Sequence, residues 1–222
     1  MDERVYWIWI QHGFGEGSPM PWRIHQSWPG GVRGFYEDGP RAWNSMPSIR
    51  EKEAAALYSF SLEEAQAQLE YAERVNWQVI TPVCEKYPLA LRNIFVPPAV
   101  LYGKGSLPDV DRQPTIAVVG ARKAQKVSEE KAKEFSYQLA IGGAAVVTGG
   151  AVGIDAAAIL GAMSGEGPVV SVLPVALNSS YPSRNAFLRQ SLLERGGALL
   201  TEYFSQQTPS YGTFQVRNRL IT

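Results

Sequence analysis

Glycines and arginines recur at matching places in the second half of this chain. Val119-Gly120-Ala121-Arg122, Thr148-Gly149-Gly150-Ala151-Val152-Gly153-Ile154-Asp155 and Tyr181-Pro182-Ser183-Arg184-Asn185 each follow an apolar run. A fourth cluster, Thr213-Phe214-Gln215-Val216-Arg217-Asn218-Arg219, comes near Thr222. Glycine lets backbone approach an anion with no side chain in the way, and the first amides of a helix offer that anion a partial positive charge. Arginine adds a planar fork of donors that matches phosphate oxygens. Gly120, Arg122, Gly149, Gly150, Gly153, Arg184, Arg217 and Arg219 are therefore candidate phosphate contacts. Several such groups in a row suit the phosphates of a polymer, single-stranded DNA in particular, better than one nucleotide. Asp155, in the first turn of the following helix, is read as holding the loop and not as a base. Phe187 could stack on a base, but its helical neighbours place it in the core.

Other chemistries lack their residues. The first glycine turn is not G-x-G-x-x-G, and no acidic residue ends the second strand to hold a ribose, which disfavours a dinucleotide site. No G-x-x-x-x-G-K-[ST] and no G-x-S-x-G occurs, and no histidine follows His25. Nucleoside triphosphate hydrolysis and serine or cysteine nucleophilic catalysis with a histidine base have no candidates, so the chain is not expected to be an enzyme. With Cys84 as the one cysteine and His12 and His25 as the two histidines, neither a metal nor any other cofactor is expected.

Glycine turns of this kind need strands and helices to position them. From Thr115 onward, strand candidates Thr115–Val119, Ala144–Thr148, Val169–Leu173 and Ala198–Thr201 alternate with helical stretches Ser128–Ile141, Ile154–Ser164 and Asn185–Glu194. This pattern predicts an α/β domain over 115–222, a Rossmann-like, mostly parallel sheet with helices on both faces. Arg217 and Arg219 fall at the end of a long polar loop. Residues 1–80 predict a small helical domain: short helices and turns to about residue 50, then two helices within Ser48–Val75. Ser61 and Glu64 are spaced as a capping box for the second of these. His12-Gly13-Phe14-Gly15 resembles a helix-hairpin-helix turn, but packing between helices explains it as well. Residues 81–114 form a proline-punctuated connector with a strand-like Val100-Leu101-Tyr102.

The formal net charge is zero, divided as −3 before Thr115 (11 basic, 14 acidic) and +3 from Thr115 onward (10 basic, 7 acidic). That excess does not by itself identify a polyanion partner; the positions of the charges decide. The apolar run near Met1 is too short for a spanning helix, so no membrane association and a cytoplasmic location are expected.

IAVVGAR, VVTGGAVGID, YPSRN and FQVRNR, in this order and spacing, resemble the DNA-processing protein A family, also called DprA or Smf. EKYPLALRNIFVPPAVLYGKG is similar to the segment ahead of that family's Rossmann-like domain, and the N-terminal helices with HGFGEGS to its small SAM or helix-hairpin-helix-like domain. The resemblance implies single-stranded DNA binding during natural transformation, protection of incoming DNA, help in loading the RecA recombinase and a possible homodimer. Carried over residue by residue, it places DNA contacts at Gly120, Arg122, Gly149, Gly150, Gly153, Arg217, Asn218 and Arg219, with Arg184 where relatives often have a basic residue. Val152, Ile159 and Ser128 depart from the family pattern, and the resemblance implies that relatives continue beyond Thr222. The alternative is a nucleotide-binding sensor or nucleotide-processing enzyme on a related scaffold.

Overall fold

The structure, a computed structural model, describes Met1–Ile221. Its contacts divide the chain into two units, the first ending at Leu101 and the second beginning at Tyr102. The first unit contains α1 (Glu3–Phe14), α2 (Met20–Ser27), α3 (Gly31–Ser45), α4 (Glu51–Ser59), α5 (Leu62–Arg74), β1 (Gln78–Ile80) and the one-turn α6 (Leu89–Arg92). Helix α1 is apolar on almost every side because it is surrounded, with Trp7, Ile8, Trp9 and Ile10 all buried. A buried tryptophan needs a partner for its indole N–H. Trp9 Nε1 donates to the Leu57 carbonyl at 3.2 Å and Trp43 Nε1 to the Phe35 carbonyl at 2.7 Å. The capping box at the start of α5 is present: Ser61 Oγ accepts from the Glu64 amide at 3.2 Å, and the Ser61 amide donates to the Glu64 carboxylate at 2.7 Å. His12 and Gly13 lie within α1, not in a hairpin turn. His12 stacks on Phe60 with ring centroids 4.0 Å apart, and a side chain at Gly13 would collide with Leu57, so this segment serves helix packing.

The second unit carries all but the first residue of β2 (Leu101–Gly105), then β3 (Thr115–Ala117), α7 (Lys126–Ile141), β4 (Ala145–Thr148), α8 (Ile154–Ser164), β5 (Val169–Val172), α9 (Ala186–Glu194), β6 (Ala198–Thr201) and α10 (Tyr211–Asn218). Its strands lie in the order β2-β6-β5-β4-β3 in a mixed, mostly parallel sheet. Strands β3 to β6 are mutually parallel, with Ile116 beside Val146, Val147 beside Val170 and Val172 beside Leu200, while β2 runs antiparallel to β6. Every residue of β4, β5 and β6 is buried, as expected for parallel strands covered by helices. Strand β3 departs from the expected cover on both faces, since Thr115, Ile116 and Ala117 are all exposed. A second departure concerns the polar loop expected ahead of Arg217. Ser210 Oγ accepts from the Thr213 amide at 3.3 Å and Ser210 N donates back to Thr213 Oγ1 at 3.0 Å, which starts α10 and puts Arg217 on a helix. Among the described residues no helix is long and apolar enough to cross a membrane.

Helices α7 and α8 approach closely where α8 has no side chain. A Cβ at Gly161 would fall onto the backbone carbonyl of Lys133, which cannot swing aside as a flexible side chain can. Alanine gains about 1 kcal/mol of helix propensity over glycine, but overpacking against rigid neighbours costs about 1–3 kcal/mol. Gly161→Ala is therefore expected to lower the urea midpoint with an unchanged denaturation slope. Leu160→Ala, at a position 42% exposed on the same helix, should shift the midpoint much less.

Candidate functional site

Because β3, β4, β5 and β6 are parallel, the segments leaving them emerge at one edge of the sheet, where ligands of open α/β sheets bind. Asp155 ties two of those segments together. Its Oδ1 accepts from the Gly120 amide after β3 and its Oδ2 from the Ala151 amide after β4, both at 3.3 Å. The carboxyl is buried, and burial holds it above the ordinary carboxylate range, opposed by the Ala151 and Gly120 amides and by Arg217. These contacts give Asp155 the loop-holding role expected of it.

Arg217 extends the connection to β5 and α10. Its Nη1 donates to the Gly149 carbonyl at 2.6 Å and the Val172 carbonyl at 2.7 Å, while Nε donates to Asn218 Oδ1 at 3.0 Å. Burial pushes this guanidinium below its ordinary pKa; Asp155 opposes the shift and Arg122 adds to it. Gly149 sits between the pair, for a Cβ there would lie 2.8 Å from Asp155 Oδ2 and on the Arg217 guanidinium. The other glycines also answer to contacts within the protein. A Cβ would meet Ile154 at Gly120, Ser171 Oγ at Gly150, and the Ala121 and Arg122 carbonyls at Gly153.

Two buried side chains that the sequence reading did not single out hold the remaining loop. Asn185 Nδ2 donates to the Gly150 carbonyl at 2.9 Å, coupling the start of α9 to the glycine turn. Arg189, one turn further on, donates to the carbonyls of Tyr181 and Ser179 and so supports the segment that carries Arg184. The four-residue spacing of Asn185 and Arg189 places both on one helix face, the signal that could have paired them.

Above this scaffold lie two adjoining clefts. The larger, about 400 Å³, is lined by Gly120, Arg122, Asp155, Phe214, Arg217 and Asn218 among others. The smaller, about 140 Å³, is lined by Arg122, Gly149, Tyr181, Arg184 and Phe214 among others, and the two share Arg122, Ala151 and Phe214. Of the sequence candidates, Gly120, Arg122, Gly149, Arg184, Arg217 and Asn218 thus come together. Gly150 and Gly153 lie in the turn but line neither cleft, and Arg219 turns elsewhere: its Nη2 donates to the buried Glu202 carboxylate at 2.7 Å. Arg122 and Arg184 are exposed and Arg217 is buried. Phe187, expected in the core, is 80% exposed, because the face of α9 that packs inward is the one bearing Arg189 and Leu192. Phe214, which lines both clefts, is among the lining residues that sequence reasoning left without a role. Among the described residues no cluster of histidine, cysteine and carboxylate could hold a metal ion.

The chain matches the family model described as DNA recombination-mediator protein A over residues 78–222. It is 33% identical over 161 residues to Protein Smf of Borreliella burgdorferi, covering 72% of this chain and 51% of that one. The chain spans about half the length of the curated relatives it matches. In fold it resembles the X-ray structure of DNA processing protein A from Streptococcus pneumoniae, with a TM-score of 0.77, 22% identity and coverage of 100% of this chain and 75% of that chain. It also resembles DNA processing protein A of Helicobacter pylori, whose structure concerns a single-stranded DNA binding mode, with a TM-score of 0.57, 27% identity and coverage of 66% and 64%. Motifs and these matches agree, and the chain belongs to the DNA recombination-mediator protein A family, known also as DprA or Smf.

Proposed function

We propose that this chain binds single-stranded DNA along the edge where Arg122, Arg217 and Arg184 meet, and that it does so without chemistry on the strand. The observation that carries the reading is the continuity of the two clefts through Arg122, Ala151 and Phe214. A mononucleotide sensor would need one enclosed pocket; a strand needs a path with cations spaced along it. Two exposed arginines on that path can each neutralise a phosphate, which gives affinity without sequence readout. Phe187, exposed three residues after Arg184, offers a ring on which a base could lie. The single-strand binding named for the Helicobacter pylori relative supports the same ligand class. Membership of the family extends the proposal to a cytoplasmic role in transformation, to protection of incoming DNA and loading of RecA on it, and to homodimerisation.

Fluorescence anisotropy of a labelled single-stranded oligonucleotide across a salt series tests the reading. The log–log slope should be about −0.7 per phosphate neutralised, and Arg122→Ala and Arg184→Ala should each flatten it by about that amount. Displacement by a mononucleotide, preference for duplex, or slopes unchanged in both variants would overturn it.

Arg217 and Arg219 are expected to behave differently, since both are committed within the fold. Arg217→Ala takes the donor from two buried carbonyls and a favourable charge from Asp155, and Arg219→Ala removes the guanidinium that faces the buried Glu202 carboxylate. Each should lower stability by about 3–5 kcal/mol in chemical denaturation. Arg122→Ala and Arg184→Ala should stay within about 0.5 kcal/mol of the wild type.

A further inference from the structure

Arg92, on the one-turn α6 of the first unit, is only partly satisfied by the fold. Its Nη2 donates to the Pro82 carbonyl at 2.9 Å and its guanidinium lies 5.1 Å from the centroid of the Tyr87 ring, but its Nε is buried without an acceptor. One other guanidinium of this unit is half-buried, that of Arg4, and it pairs with Asp2 at 2.6 Å and Glu73 at 2.8 Å. No carboxylate among the described residues pairs with Arg92, although the unit holds nine basic against twelve acidic residues over 1–101. A second basic group lies within its field. His25 is half-buried, with the rings of Trp7 and Trp22 at centroid distances of 5.0 and 5.8 Å, and it is held below its ordinary pKa by burial and then by the charge of Arg92. Two basic groups that oppose each other's charge are stabilised by an anion that reaches both. The neighbouring surface is apolar. Leu89, three residues before Arg92 on the same helical turn, is 58% exposed, and Phe95, three residues after it, is 96% exposed.

We propose that Arg92, together with His25, Leu89 and Phe95, docks a segment of another protein that carries a carboxylate between apolar side chains. The proposal is independent of the single-strand reading and uses none of the residues of the two clefts. The guanidinium supplies charge-assisted hydrogen bonds to the carboxylate, and the exposed ring and leucine cover the side chains on either side of it. Arginine and aromatic side chains grouped in this way are the residues that anchor protein interfaces. Charge decides against a nucleic acid here: the acidic excess of the first unit opposes a polymer of phosphates, whereas a single carboxylate answers to the local cations.

The test is an NMR titration of the full chain with two peptides, one carrying an aspartate between two leucines and the other an asparagine in its place. The aspartate peptide should move the His25 ring resonances and raise the His25 pKa, because a carboxylate favours the imidazolium. It should also bind about fivefold or more tightly than the asparagine peptide, the gain from a charge-assisted contact. Arg92→Met should bring the two affinities within about twofold of each other. Phe95→Ser, at a side chain exposed enough to leave folding intact, should weaken both peptides by a similar factor. If Arg92→Met does not fold, the wild-type comparison and Phe95→Ser decide. Absence of binding at millimolar peptide, equal affinities for the two peptides, or binding that leaves His25 unmoved would overturn the proposal. Displacement of the aspartate peptide by inorganic phosphate at equal concentration would overturn it too, by making this a phosphate site.

Discussion

A parallel sheet delivers its connecting turns to one edge, and each arrives with backbone amides and carbonyls that the ladder no longer satisfies. In this protein one carboxylate and one guanidinium answer much of that demand. Asp155 takes amides from the turns after β3 and β4, and Arg217 gives its protons to carbonyls after β4 and at the end of β5. Burial disfavours the charge of each group, and each partly offsets that cost for the other across the space beside Gly149. Together they make the position of each turn depend on the others. The close approach at Gly149 follows directly, since any side chain at that residue would occupy the space between them.

This division separates the cations by role. Arg217 and Arg219 carry the same formal charge as Arg122 and Arg184, but their protons are directed at Gly149, Val172 and Glu202. Charges buried in this way still contribute to the field over the cleft, and they do so in fixed positions. Arg122 and Arg184 remain exposed and can reorient toward an incoming phosphate. Salt screens exposed pairs strongly and buried ones weakly, so the salt dependence of ligand binding reports the second pair and the stability of the fold reports the first.

The turns were legible in the sequence because glycines, flanking apolar runs and a helix-start carboxylate carry local signals; α8 has the bounds its pattern gave, Ile154–Ser164. The reasons for the glycines were not legible. Gly120 makes room for Ile154 and Gly153 for the carbonyls of Ala121 and Arg122, relations set by packing across the fold and not by spacing along the chain. Helix α10 was missed although Ser210 and Thr213 cap it reciprocally, since the glycine at 212 and the polar stretch before it read as loop. With that helix unrecognised, Phe214 could not be placed beside Arg217 on one face, nor could Arg219 be separated from the other arginines. Phe187 was misplaced for a related reason: Arg189 and Leu192 define the buried face of α9, and a buried arginine is not what periodicity leads one to expect.

The proposed sequence-independent binding of a flexible strand would set opposing demands on such a site. Ordering the strand and the side chains that meet it opposes binding, so a floor already fixed by the protein reduces that loss. Cations locked at single spacings, however, would fit only one conformation of a backbone that has many. Fixing the carbonyls of Gly149, Gly150, Ser179 and Tyr181 through buried Arg217, Asn185 and Arg189, while leaving Arg122 and Arg184 on exposed stems, meets both demands. On this view the number of buried polar groups under the turns is a condition for having so few exposed ones above them.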